Sequence, residues 1–382
     1  MLKKIKIECL FNKFNYEIEL KEEGITILTG PNGYGKTTIL NIIHAVAIKN
    51  PEFFFQLPFS EIILNQENAE IRFSKTENDT FEIQVGDEES ITFDKKKYII
   101  PNTIDQMLNL DPEFQAKYYK KRMPDFPDAY LIREQRLVRE IEGNFSSTIE
   151  EYSKELAGWI TVFLKTASEF GQKLDSTFPQ RLFDETSDLS EEEFRKRYDA
   201  IREKQKALSR YGLSAIEENS YPSFKEENAK ALLVYLNDAE KKLSVFDYIL
   251  QQLEIFSSIL NEKQFAFKQI EISPDFGFRF KTEDGEDLPL TALSSGEQQE
   301  VVLLYELLFK VTPDTLVLID EPEISLHVAW QKEFLNDLLK IVELKKINVI
   351  VTTHSPQIID SHWDLVIDLW DLTTASGEEA SE

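Results

Sequence analysis

The stretch Ile27–Leu40, "ILTGPNGYGKTTIL", decides the fold. Gly30, Gly35, Lys36 and Thr37 fit the pattern G-x-x-x-x-G-K-[ST] without a gap, a pattern that arises by chance in roughly one chain in a hundred of this length. Its flanks strengthen it. The apolar run Ile25–Leu28 reads as a strand leading in, and Ile39, Leu40, Ile42, Ile43 and Val46 form one apolar stripe of a helix leading out. Glycines let backbone N–H groups close around phosphate oxygens, and the helix N-terminus adds the positive end of its dipole. The expected cradle is Gly30, Asn32, Gly33 and Gly35, with Lys36 reaching the β and γ phosphates and Thr37 placing its hydroxyl on Mg²⁺. Thr38 is placed on the α phosphate by analogy with related loops.

Three stretches near the other end of the chain supply the remaining chemistry. In "TLVLIDEPEISLH", the apolar strand Leu316–Ile319 ends in two acids, Asp320 and Glu321. A strand with no polar face belongs in a sheet covered on both sides, and the C-terminal ends of such strands are where open α/β sheets place ligands. Asp320 is therefore expected to hold Mg²⁺ through water, and Glu321 to polarise the attacking water. A helix is expected to return along Trp330, Phe334, Leu338 and Ile341 to a second buried strand, Ile347–Thr352, which ends at His354 in "TTHSPQII". This is a βαβ unit, and its end places His354 beside the acids, within hydrogen-bonding reach of a γ phosphate. Between these lies "LTALSSGEQQEVVLLYELLF", where Ser294 and Glu297 read as a capping box for a helix continuing through Leu308.

Composition bounds the rest. The chain has 382 residues, 42% of them hydrophobic, enough for about two domains. No apolar run of membrane-spanning length occurs, and the N-terminus "MLKKIKIECLF" alternates like a strand, so a cytoplasmic protein without a membrane partner is expected. Cys9 is the single cysteine and reads as a small apolar strand residue. A net charge of −26, from 43 basic and 69 acidic side chains, repels nucleic acid at long range. Nucleic acid is accordingly not a favoured partner, although "KYYKKR" at Lys117–Arg122 and the weaker Lys95–Lys97 run are local basic candidates.

Taken together, Gly30–Thr37, "LSSGEQ" at Leu293–Gln298, "LVLIDEPE" at Leu316–Glu323 and His354 resemble the Walker A, signature, Walker B and switch-histidine motifs of ABC ATPases of the SMC and DNA-repair type. That resemblance implies an α/β fold, a P-loop ATPase head that uses ATP and Mg²⁺. It also implies a homodimer, or a higher homo-oligomer, in which Ser294 and Gly296 of one copy contact ATP held by the other. "LIREQRL", Leu131–Leu137, resembles the family's Q-loop and nominates Gln135 for Mg²⁺ and the attacking water. Segments such as "LDSTFPQRL" and "LSEEEFRKRYDAIREKQKALSRYGL" are similar to ATPases of bacterial anti-phage systems of the Septu, PARIS and OLD types. The implied function is a switch that hydrolyses ATP and controls a separate nuclease or toxin effector. A DNA-binding SMC-like repair or maintenance ATPase is the alternative.

The expected organisation is an ATPase head interrupted once. Residues 1–140 carry Walker A, an antiparallel β subdomain over about 60–100 and the Q-loop; 141–264 are a helical insertion; 265–372 return to the head; 373–382 form a disordered tail. Within the insertion Phe194, Tyr198, Ile201 and Leu208 share one helix face, and Gly212 is a terminator. The insertion is too short and irregular for a long coiled coil, and no separate nuclease centre of the TOPRIM kind is expected.

Overall fold

The computed structural model describes residues 1–77, 79–95, 123–133, 137–141, 144–186, 189–214, 223–263, 265, 268–324 and 326–378. The chain divides into two compact units, Met1–Gln135 with Lys310–Glu382, and Arg136–Phe309. Residues 265–309 thus group with the helices that precede them.

In chain order the first unit opens with β1 (Leu2–Leu10), β2 (Phe14–Glu19), β3 (Ile25–Thr29) and helix α1 (Lys36–Ala47), followed by β4 (Glu61–Gln66), β5 (Glu70–Glu77), β6 (Thr80–Val85), β7 (Ile91–Asp94) and β8 (Ala129–Ile132). The second unit holds β9 (Val138–Ile141), β10 (Asn144–Ser147), α2 (Thr148–Asp184), α3 (Glu191–Ser209), α4 (Ala229–Ser244), α5 (Asp247–Glu262), β11 (Gln269–Ser273), β12 (Gly277–Lys281), β13 (Asp287–Leu288) and α6 (Ser295–Tyr305). The first unit then resumes with β14 (Leu316–Asp320), α7 (Phe334–Lys345), β15 (Asn348–Thr352), β16 (Val366–Asp368) and α8 (Leu369–Glu378).

The first unit is built on two sheets. Five strands run parallel in the order β16-β3-β15-β14-β8. The central strands are buried along almost their whole length, as a sheet covered on both faces requires. Helix α1 lies against β8, β14 and β15, and Ile39, Leu40, Ile42, Ile43 and Val46 are all buried, as their stripe predicts. Six further strands are antiparallel in the order β2-β1-β4-β5-β6-β7, including the hairpins expected over residues 60–100. On the buried face Phe81 stacks on Phe93 at 5.0 Å, and Phe73 on Phe54 of the short helix Glu52–Gln56 at 4.6 Å. Both sheets share one contiguous core. The α/β class with an added antiparallel sheet and a helical stretch is therefore the fold of the chain.

In the second unit α3 buries Phe194, Tyr198, Ile201 and Leu208, and Gly212 follows it in a left-handed turn with φ +68°. Helix α2 is 37 residues long, and its buried residues all lie between Thr148 and Ile160. There it meets β12 with almost no clearance. A Cβ on Gly277, whose φ is +78°, would come within 1.7 Å of the Ser153 carbonyl oxygen. The single proton of the Ser153 hydroxyl is shared between the Phe276 and Phe278 carbonyls, 2.8 and 2.6 Å away, and the oxygen accepts from the Phe278 N–H at 3.1 Å. Only a glycine lets the helix backbone seat on the strand this way.

Four expectations change. The helix expected along Trp330 and Phe334 is broken at Lys332 and Glu333 into a short turn, Val328–Gln331, and α7. His327 starts that turn by accepting from the Ala329 N–H through Nδ1. The helix expected through Leu308 loosens after Tyr305 into a π turn, Glu306–Lys310, where the buried Glu306 carboxylate accepts from the Tyr152 hydroxyl at 2.6 Å. Cys9 is exposed and left-handed, because β1 bulges between Ile7 and Leu10 and turns the residue outward. The tail expected to be disordered from residue 373 is helical as far as Glu378, since Asp368 caps α8 through the Trp370 N–H at 2.8 Å and fully buried Leu369 anchors it.

Candidate functional site

All the sequence-nominated residues of the first unit that the structure describes lie at or just beyond the C-terminal ends of β3, β14 and β15. Parallel register sets this: Asp320 stands opposite Thr352, and Thr352 opposite Leu28. The loop after β3 reaches α1 through three left-handed glycines, Gly30, Gly33 and Gly35. At Gly35 the requirement is double, since φ is +84° and a Cβ would come within 2.9 Å of Leu10 Cδ2.

Lys36 begins α1 and is 5% exposed. Its ammonium lies 2.9 Å from the Gly30 carbonyl, 3.4 Å from the Pro31 carbonyl and 2.6 Å from His354 Nε2. Three acceptors match its three hydrogens. Burial pulls this ammonium below the ordinary lysine range, opposed by the charges of Glu321, Asp320, Glu323 and Asp368. An ammonium only donates, so His354 Nε2 accepts and its ring proton sits on Nδ1. The same Nε2 is 3.4 Å from Glu321 Oε1.

Thr37 donates its hydroxyl to Asp320 Oδ1 at 3.0 Å. A residue that sequence reasoning passed over holds the same oxygen: Thr352, fully buried at the end of β15, donates to it at 2.6 Å. Thr352 also receives the Glu321 N–H, on its carbonyl at 3.1 Å and its hydroxyl at 3.2 Å. Glu321 is held there with φ +43°, a left-handed conformation that costs a non-glycine residue about 1–2 kcal/mol. The strain aims the second acid away from the strand while Asp320 stays in register.

Thr37 and Asp320 form an oxygen pair of the kind Mg²⁺ takes, with the acid already oriented by two hydroxyls. Among the described residues no group of three or more His, Cys, Asp and Glu could hold a metal. Asn32 and Gly33 are exposed on the loop, and Thr38 is half-buried in the first turn of α1. Gln135 and the Lys117–Arg122 segment lie outside the described residues, as do Lys96 and Lys97.

The second unit carries Ser294 and Gly296 at the start of α6. Ser294 is exposed, and the capping box is complete: its hydroxyl accepts from the Glu297 N–H at 3.3 Å, and Glu297 Oε2 accepts from the Ser294 N–H at 2.8 Å. Lys268, which the sequence did not single out, grips both oxygens of Glu297 at 2.8 and 2.9 Å. Despite the cost of burial, Lys268 and the Ser294 contacts hold the Glu297 carboxyl below its usual range. A second ion pair, Lys263 with Glu300 at 3.0 Å, is almost wholly buried one turn further along α6.

Residues 1–359 match the family model described as an AAA ATPase domain. Over 81 residues the chain is 35% identical to UvrABC system protein A of Clostridium acetobutylicum and 40% identical to that of Methanothermobacter thermautotrophicus. Each match takes in 21% of this chain and 8% of the relative's length. Among solved structures, the Smc head domain of Pyrococcus furiosus bound to the C-terminal domain of ScpA aligns over 96% of this chain and 92% of its own, with 16% identity and a TM-score of 0.41. The SMC head domain of Thermotoga maritima aligns over 96% and 94%, with 15% identity and a TM-score of 0.39. No described helix is long and apolar enough to cross a membrane.

Proposed function

We propose, because this chain belongs to the AAA ATPase domain family, that it is an ATP-binding and ATP-hydrolysing switch whose heads close in pairs on Mg-ATP. The observation that carries the reading is the convergence of Lys36, Thr37, Asp320, Glu321 and His354 at the C-terminal end of one sheet, where His354 meets Lys36 and Glu321, and Thr37 meets Asp320. In this reading the loop amides and Lys36 take the phosphates, and the ammonium exchanges the Gly30 and Pro31 carbonyls for phosphate oxygens. Thr37 and Asp320 hold Mg²⁺, which withdraws charge from the phosphate oxygens. Glu321 accepts a proton from the water that attacks the γ phosphorus as the bond to the β-phosphate oxygen breaks. Once Lys36 has turned to phosphate, His354 Nε2 no longer accepts from it, and the ring in its other tautomer, with the proton on Nε2, can donate to the γ phosphate. Gln135 is assigned to the same water and cation.

Ser294 and Gly296 complete the site across the pair, each start of α6 facing the nucleotide of the other copy. Mg-ATP is then expected to raise the solution mass of the wild-type protein. A Ser294→Arg variant should bind ATP normally and remain unassociated, because the exposed cap position would carry a bulky cation in place of a hydroxyl. Mass photometry with and without nucleotide decides it: no ATP-dependent increase, or a fully associating Ser294→Arg protein, removes the paired-head model.

The switch acts on a separate effector, in a setting of bacterial anti-phage defence. The support is the chain's charge of −26, which accelerates encounter with a basic protein and opposes binding to bare nucleic acid. The second reading, a DNA-binding repair or maintenance ATPase, has in its favour the 81-residue similarity to UvrABC system protein A. A pull-down with the product of the neighbouring gene across a salt series separates the two. Capture that weakens with salt and differs between the ATP-bound protein and a Lys36→Ala variant supports the effector reading. Tight duplex binding by the chain alone, with no protein captured, supports the other.

A further inference from the structure

Glu323 takes no part in the chemistry above, although it follows the two acids in the run Asp320-Glu321-Pro322-Glu323. Its side chain does not reach back to its own turn. Oε1 accepts the backbone N–H of His354, 31 residues on, at 2.6 Å. That is the short end of the range for an N–H on a carboxylate, where such bonds are strongest. The other oxygen, Oε2, is enclosed and has no hydrogen-bond partner among the described residues. Enclosing a carboxylate oxygen without a partner costs stability.

A second strut runs beside the first. The Glu323 carbonyl accepts from Gln331 Nε2 at 3.2 Å, and Gln331 Oε1 accepts from the Ser355 hydroxyl at 2.8 Å. Gln331 is buried and also donates to the Leu326 carbonyl at 3.2 Å. The turn after β14 is thereby tied at two adjacent residues, His354 and Ser355, to the turn after β15. The neighbouring amides of that second turn have other partners: the Thr353 N–H donates to the Leu28 carbonyl at 3.1 Å, and the Ser355 N–H to the Thr353 hydroxyl within the turn at 3.0 Å. His354 alone takes its amide partner from an acid.

We propose that Glu323 is a positioning residue for His354, holding its backbone so that Nε2 stays within reach of Lys36 and Glu321. Gln331 and Ser355 brace the same turn. What His354 then does for turnover rests on the ATPase reading above; where Glu323 holds it does not. The position of an imidazole is sensitive to its backbone, and residues that orient a catalytic group in this way change rates by about 10- to 100-fold when removed.

The test uses the full chain with ¹⁵N-histidine labelling, which gives one amide signal for each of His44, His327, His354 and His362. In nucleotide-free protein, Glu323→Ala is expected to move the His354 amide proton upfield and speed its exchange with solvent, while the other three signals stay in place. Glu323→Gln keeps an acceptor oxygen of the same reach and should restore most of the protection, which separates a loss of position from a loss of fold. With Mg-ATP, kcat should fall by about 10- to 100-fold in Glu323→Ala while KM and ATP affinity hold. An unmoved His354 amide overturns the proposal. So does a moved amide with undiminished kcat, or a joint loss of kcat and affinity. If the wild-type protein proves not to hydrolyse ATP, the ATPase reading fails, and the amide measurement alone decides the Glu323 clamp.

Discussion

Lys36→Ala is expected to lose ATP affinity by about 10²- to 10⁴-fold, since one buried ammonium supplies two or more charge-assisted hydrogen bonds to phosphate. The fold should survive. In the nucleotide-free protein this ammonium spends its hydrogens on the Gly30 and Pro31 carbonyls and on His354, at a site where burial already disfavours its charge. Alanine is a good helix former at the start of α1 and leaves the apolar stripe from Ile39 to Val46 intact. Calorimetric titration with ATP and magnesium reads the affinity, and a thermal melt of the same sample reads the fold. Unchanged affinity and turnover would remove the phosphate-loop assignment. Lost affinity with a collapsed melt would instead mean that Lys36 is needed for the loop's own structure.

Glu321→Gln should leave ATP binding in place and slow hydrolysis by about 10²- to 10⁴-fold. The substitution keeps size and hydrogen-bonding reach and removes the proton acceptor. It should also keep the backbone, because the left-handed turn at residue 321 is held by the main-chain N–H on Thr352 and not by the side chain. Paired, ATP-bound heads should accumulate, since closure persists until hydrolysis. Single-turnover hydrolysis and solution mass on one preparation check both halves. Undiminished hydrolysis would take the base away from Glu321. Slow hydrolysis with no accumulated pairs would leave Glu321 in place and count against paired heads.

The sequence by itself determined the elements that stand on local chemistry. The glycine loop, the apolar strands before it and before Asp320, the α1 stripe, the β4–β7 hairpins and the Ser294–Glu297 capping box are written in residue type and spacing over a few turns of chain. Local rules reach that far. Tertiary structure decided what joins residues tens to hundreds of positions apart. Thr352 looks like one more β-branched strand residue until parallel register sets it opposite Asp320. Glu323 reads as a turn acid until the His354 amide arrives beside it, and Lys268 as an ordinary surface lysine until it closes on Glu297. The broken helix at Lys332 and the π turn after Tyr305 have the same origin, with Gln331 bonded to Ser355 and Glu306 to Tyr152. In both a hydrogen-bonded partner from elsewhere in the fold overrides a periodicity that, read along the chain, pointed another way.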